Sequence, residues 1–304
     1  MDPKITNTLI QEICTIVSAR YIFPEVADSI VAFLDRQCLD GIYAACSSPD
    51  DLAERITSDL RRTANDEHLR VRYFAEQHKP EAEGETVREQ NDRQAHVETI
   101  SFGISRIEFL DDNVGYIDIR ELVEHARSAE YITAAMTLLS KSKALIIDLR
   151  KCCGGDPATV AWLCSYFFNA RTELSALHLR ESASMVQFHT QDWVPGQRFG
   201  EGKPIYVLLA HYTFSGAEML AYDLQARGRA IVVGETSGGG AHACNFYWPT
   251  PHFSLLLPEA RPINPVTQSN WEKLGVQPDI PVNADDALST AHRLARKHIT
   301  QGLA

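Results

Sequence analysis

The stretch from Tyr212 to His242 gathers the residues best suited to chemistry. It begins Tyr-Thr-Phe-Ser-Gly-Ala-Glu and ends Gly-Glu-Thr-Ser-Gly-Gly-Gly-Ala-His. Ser215, with Gly216 behind it, follows an apolar run at 205–210 and opens a helix-like segment at 217–227. A strand at 229–234 then leads into the glycine cluster. A serine between a strand and a helix N-terminus has its hydroxyl clear of the sheet, and the first amides of the helix can hold an oxyanion. That arrangement suits acyl transfer through a serine nucleophile. Serine before Gly-Ala-Glu is also a good helix-capping sequence, so the local residues leave nucleophile and cap both open. A nucleophilic serine further needs a base to take its proton.

The elements that must position these groups can be read from periodicity. From residue 100 onward, strand patterns at 105–109, 114–118, 144–149, 205–209, 230–234 and 254–257 alternate with helix patterns at 131–140, 159–168, 217–227 and 284–297. This predicts an α/β fold with a sheet covered by helices. Residues 3–75 read as helices. Ile5, Leu9, Ile10, Ile13, Ile16 and Val17 fall at helical spacing, and Phe23-Pro24 breaks the pattern. Val26, Ile30, Val31, Phe33 and Leu34 begin a second helix, and Ser47-Ser48-Pro49-Asp50 caps a third carrying Leu52, Ile56 and Leu60. Such helices cannot each bury a face alone, so a small N-terminal helical bundle is expected over 1–75. Residues 76–99 are almost wholly polar and read as a solvated linker or loop, with a cover over a substrate cleft as the alternative. The catalytic core is then 100–304.

Composition narrows the function. The 304 residues suit one large or two modest domains, with hydrophobic residues at 44% and charged residues at 23%, ordinary for a soluble globular protein. A net charge of −11 argues against nucleic acid as a partner, because phosphate binding needs a positive surface. No apolar run approaches the roughly 20 residues of a membrane span. No signal peptide is visible at the start, and seven unevenly spaced cysteines read as reduced thiols, so a cytoplasmic location is expected. No H-E-x-x-H and no C-x-x-C pair occurs, so neither a metal nor a cofactor is expected.

Several segments carry a family resemblance. They are Asp66-Glu67-His68-Leu69-Arg70-Val71, Asn113-Val114-Gly115-Tyr116-Ile117-Asp118, and Ile147-Asp148-Leu149-Arg150 followed by Gly154-Gly155. Further along come Phe214-Ser215-Gly216-Ala217-Glu218, then Gly234-Glu235 with Gly238-Gly239-Gly240-Ala241-His242. Last are Pro262-Ile263-Asn264-Pro265, Asn270-Trp271-Glu272 and Gly275-Val276-Gln277-Pro278-Asp279. In this order they make the chain resemble the S41 peptidases, the tail-specific and C-terminal-processing proteases. It looks most like the branch containing the modules of interphotoreceptor retinoid-binding protein. The resemblance implies a ClpP/crotonase-like β-β-α core and places Ser215 on the family's catalytic serine.

The same resemblance frames the base. Many S41 members carry a lysine 25 positions after the serine; here that position is Gly240, and no lysine lies between Lys203 and Lys273. Tricorn-like members instead use an early histidine and a late glutamate, which match His68 and Glu272. A histidine suits a base near neutral pH, with Glu272 orienting it or holding the serine's surroundings. His242 is the rival base; otherwise it lines the site with Gly239 and Gly240. The oxyanion hole is expected from the amides of Gly216 and of Gly154 or Gly155. Asp148 and Arg150 are expected to hold the turn before those glycines, and Glu235 to make a structural contact. Lys151-Cys152-Cys153, Glu67 before His68, and Lys273-Leu274 depart from the family pattern. The gap between Arg72 and Ser101 is too short for a PDZ domain, so a peptide or small acyl substrate is expected to meet the cleft directly.

Three functions follow. The first is a serine peptidase or hydrolase acting through an acyl-enzyme. The second is a non-catalytic retinoid- or fatty-acid-binding module, lined by aromatic residues such as Trp162, Phe167, Phe168, Trp193, Phe199 and Trp271. The third is a serine-dependent hydrolase of a small biosynthetic peptide, ester or lactam.

Overall fold

Proline at the first helical turn and a short polar residue before it mark two helix starts in this chain. The computed structural model describes residues 3–78, 87–180 and 184–302. It begins with helices α1 (Pro3–Arg20), α2 (Pro24–Leu39) and α3 (Pro49–Ala64), then strand β1 (Arg70–Tyr73). Next come α4 (Val87–Thr99), β2 (Ile104–Leu110), β3 (Val114–Ile119), α5 (His125–Leu139), β4 (Ala144–Asp148) and α6 (Pro157–Cys164). They are followed by β5 (Glu173–Leu179), β6 (Met185–His189), β7 (Ile205–Leu209), α7 (Gly216–Ala226) and β8 (Ile231–Gly234). The chain ends with β9 (Ala243–Thr250), β10 (Phe253–Ile263), β11 (Ile280–Pro281) and α8 (Ala284–Thr300). Two units separate by contact. One holds Met1–Glu85, Leu177–Val186 and His242–Arg261; the other holds Thr86–Ala176, Gln187–Ala241 and Pro262–Ala304.

The first unit contains the three expected helices, but they do not pack only on one another. Leu9, Ile13, Val17, Ile30, Leu34, Leu52, Ile56 and Leu60 share a core with Leu69, Val71, Phe253, Leu255 and Leu257. The helices thus bury their apolar faces on β1 and β10, which pair antiparallel with Arg70 opposite Leu256 and Tyr73 opposite Phe253. The sheet runs β1-β10-β5-β6, with β9 also paired to β10. Ser48 caps α3 by accepting from the Asp51 amide at 3.1 Å, as its sequence foretold.

The second unit is built on a six-stranded sheet of order β11-β8-β7-β4-β3-β2. All neighbours are parallel except β2 and β3. Alternation divides its side chains between two faces. Val114, Tyr116, Ala144, Ile146, Tyr206 and Leu208 pack with Ala287, Ala291 and Ala295 of α8. A row of alanines four residues apart lets that helix approach the sheet closely. Ile117, Ile119, Leu145, Ile147, Val207 and Leu209 face the opposite way, into a core with α5, α6 and α7.

Within the stretch read as a linker, residues 87–99 are helical. Gln94 donates to Glu98 one turn on at 2.9 Å, and Arg127 of α5 donates to Gln94 at 3.0 Å. Helix-favouring Glu, Gln and Arg side chains sustain this polar helix through such pairs.

Candidate active site

Ser215 stands where the strand-to-helix turn is tightest. Every residue of β7 is buried, and the turn after it is pinned by Thr213, whose hydroxyl donates to the Leu149 carbonyl at 2.9 Å and accepts from the Ala210 amide at 3.1 Å. Ser215 then adopts φ 52°, ψ −125°, a region that side-chain-bearing residues avoid at a cost of about 1–3 kcal/mol. A structure keeps such a residue where the geometry serves a purpose.

Glu218 ties this serine to the glycine cluster. Fully buried, its carboxylate accepts from the Ser215 amide at 2.8 Å, the Ser237 hydroxyl at 2.5 Å, the Gly239 amide at 2.7 Å and the Gly240 amide at 2.9 Å. Burial raises its pKa above the ordinary value, and these hydrogen bonds offset only part of that rise. The local sequence shows only a capping acid at this position; its reach to residues 237–240 is tertiary.

Three glycines press against the serine. A β-carbon on Gly154 would lie 2.7 Å from the Ser215 β-carbon, and one on Gly216 would lie 2.5 Å from the Gly155 carbonyl oxygen. Gly154 and Gly155 have φ of +116° and +137°, accessible in practice to glycine alone. The loop is held by the Leu122 amide donating to the Gly154 carbonyl at 2.8 Å and the Asp156 amide donating to the Leu122 carbonyl at 2.7 Å. Its root is held by Asp148, which accepts from Tyr116 at 2.7 Å and from Arg150 at 2.6 and 2.9 Å. Arg150 also donates to the Ala284 carbonyl at 2.6 Å. Glu235 accepts from the Ala284 amide at 3.1 Å. The loops bearing Gly154, Ser215 and Gly239 leave the carboxyl ends of the adjacent parallel strands β4, β7 and β8, where open α/β sheets place their sites.

Gly240 occupies the position of the family's lysine, and the space is filled. A β-carbon there would lie 1.9 Å from the Phe214 ring. Trp271 donates its indole N–H to the Gly240 carbonyl at 3.2 Å, and Glu272 accepts from the Ala241 amide at 2.8 Å. In this unit Glu272 therefore holds the end of the glycine loop. Gly239 is fixed by the Lys273 amide donating to its carbonyl at 2.8 Å.

The imidazoles lie in the first unit. Asp66-Glu67-His68 forms the turn between α3 and β1, closed by the His68 amide donating to Asp66 at 3.0 Å. The same carboxylate faces His68 Nδ1 at 2.9 Å and His242 Nδ1 at 3.2 Å, and it accepts from the Tyr21 hydroxyl at 3.0 Å. Burial alone would raise the Asp66 pKa; hydrogen bonds from His242 and His68 outweigh it and hold the carboxyl well below the usual range. A carboxylate only accepts, so each Nδ1 is the donor in these contacts. The acid facing His68 in this unit is Asp66, which sequence reasoning placed in a motif but gave no role.

A family model for peptidase family S41 matches residues 113–282, more than half the chain, and a model for the N-terminal domain of peptidase S41 in eukaryotic IRBP matches residues 4–104. The chain belongs to peptidase family S41. This makes it a serine peptidase by class. Among solved structures, a putative peptidase from Parabacteroides merdae is 14% identical with TM-score 0.67, covering 95% of this chain and 96% of its own. The photosystem II D1 C-terminal processing protease is 13% identical with TM-score 0.60, covering 97% of each chain. The tricorn protease is 14% identical with TM-score 0.59, covering 98% of this chain and 37% of its own. These likenesses agree with the α/β core and N-terminal helices of this S41 chain.

Of the expected site residues, Ser215, Gly216, Gly154, Gly155, Gly239, Gly240 and Glu272 gather in the second unit, and His68 and His242 in the first. Most of the aromatic residues offered as a ligand lining do something else. Phe167, Phe168, Phe199 and Trp271 are buried in the core of the second unit, and Trp193 is exposed.

Proposed function

We propose that this S41 peptidase cleaves peptide bonds through an acyl-enzyme on Ser215, with His68 as proton acceptor and Asp66 as the carboxylate that orients it. The observation that carries the reading is the strained Ser215 packed against Gly154, with Gly216 pressed on Gly155 beside it. A helix N-terminus and a left-handed glycine pair supply amides next to the nucleophile, where an oxyanion develops. Ser215 Oγ attacks the peptide carbonyl carbon, and its proton passes to His68 Nε2. The tetrahedral intermediate collapses as His68 returns that proton to the leaving amine. Water then attacks the ester with the same base, freeing the acid and restoring the serine. The filled position at Gly240 supports a histidine in place of the lysine seen elsewhere in the family.

The test is labelling by a fluorophosphonate probe with peptide turnover measured in parallel. Wild type should label, Ser215→Ala should not, and His68→Ala should slow both readouts by about 100-fold or more. His242→Ala should leave most of the labelling rate. Full labelling of His68→Ala, or its loss in His242→Ala alone, would move the base elsewhere. A folded wild type that never labels would sink the reading.

A further inference from the structure

One carboxylate serving two imidazoles is more than a base needs. Asp66, His68 and His242 each offer a ligand atom, and those atoms lie within 4.8 Å of one another. The carboxylate-to-nitrogen separations are 2.9 and 3.2 Å. Around a tetrahedral ion with bonds of about 2.0–2.2 Å, adjacent ligand atoms lie about 3.3–3.6 Å apart. The two carboxylate-to-nitrogen separations, one from each Asp66 oxygen, need to open by less than about 1 Å to reach that length.

We propose that Asp66, His68 and His242 form an inhibitory Zn²⁺ site in this peptidase. Two imidazoles and one carboxylate suit zinc, whereas magnesium and calcium demand oxygen-rich shells. All three side chains are largely buried, Asp66 at 3% and His242 at 6% exposure, so the donors are held in place before the ion arrives. The sequence hides the site because Asp66 and His242 are 176 positions apart and share no spacing motif.

The inhibition follows from proton position and rests on His68 being the base. Without metal, each neutral ring carries its proton on Nδ1, donated to Asp66, and keeps a lone pair on Nε2. Zinc takes the Nδ1 lone pair, so the neutral ring must carry its proton on Nε2. Each ring keeps one proton, no electrons are exchanged, and neither nitrogen of His68 can accept the proton of Ser215. Removal of the ion reverses the change.

The experiment is a zinc titration of the intact chain against a chromophoric chelator, with fluorophosphonate labelling as an independent readout. One ion per chain should bind. His242→Ala should weaken binding at least about tenfold, and Asp66→Asn should do the same. Cobalt substitution should give the visible bands of a site with nitrogen and oxygen ligands, altered in His242→Ala. Added zinc should slow labelling of wild type, chelation should restore it, and His242→Ala should resist. His242→Gln, which retains bulk, covers the case in which the alanine variant misfolds. Zinc affinity unchanged in folded variants of both Asp66 and His242, or no stoichiometric binding to wild type, would overturn the site. Variant-sensitive binding with undisturbed labelling would keep the site and overturn His68 as the base.

Discussion

Glu218 does at the residue scale what the serine cannot do for itself. It receives the Ser215 amide and the amides of Gly239 and Gly240. Glu218→Gln brings an NH₂ group into this ring of donors and leaves one buried group unpaired, at a cost of about 1–3 kcal/mol. The expected result is a lower melting temperature together with slower labelling of Ser215, and rescue by Glu218→Asp only in part. Labelling at the wild-type rate would show that the serine's backbone does not depend on this carboxylate. Gly240→Lys is a sharper case. A side chain at 240 would collide with the Phe214 ring, so restoring the family's lysine in sequence should destroy rather than improve the site. Soluble expression followed by probe labelling tests this; an active Gly240→Lys variant would refute the packing argument.

At the scale of elements, α7 joins the serine at its start to a buried acid further along. Asp223 accepts from the Ser175 hydroxyl at 2.6 Å and from Asn264 at 2.8 Å, and burial pushes its pKa up to about 6. Its folded value lies above the ordinary 3.8, so its favourable contribution is complete below about pH 4 and is lost as the pH rises through about 6. A shift of that size amounts to about 3 kcal/mol. Urea midpoints measured from pH 4 to 7 should show this decline in wild type and lack it in Asp223→Asn. An identical pH slope in the two proteins would show that Asp223 titrates normally. Asp66 has the opposite sign. Its depressed pKa contributes stability above about pH 4 that disappears as acid protonates it.

At the scale of the whole molecule, the N-terminal helices depend on a strand that arrives late in the chain. Arg72 pairs with Ser254, and Leu255 is wholly buried in the helical core. Leu255→Ala should cost about 2–5 kcal/mol through the cavity it leaves. Urea unfolding followed by circular dichroism should show the reduced midpoint. A change under 1 kcal/mol would mean that the helices are stable without β10. Contacts so distant in sequence also predict slow folding, because loop closure precedes their reward.

Local chemistry determined much of this protein. Short, nearly continuous apolar runs announced β3, β4, β7 and β8, and helical spacing announced α1, α2 and α3, because each signal is complete within one element. The order of short segments carried the family and picked out Ser215 with Gly154, Gly155 and Gly216. Strands β1, β5, β6, β9 and β11 escaped notice: β1 is four residues long and β11 two, β5 is rich in leucine, and β9 contains Pro249. Only the tertiary structure decided which acid meets which partner. Asp66, which had no role in the sequence reading, faces both His68 and His242, and Glu272 holds the Ala241 amide within its own unit. Glu218 read as a helix cap and is the anchor of the glycine loop. A carboxylate's partners are set by hydrogen bonds between residues far apart in the chain, and no local periodicity encodes them.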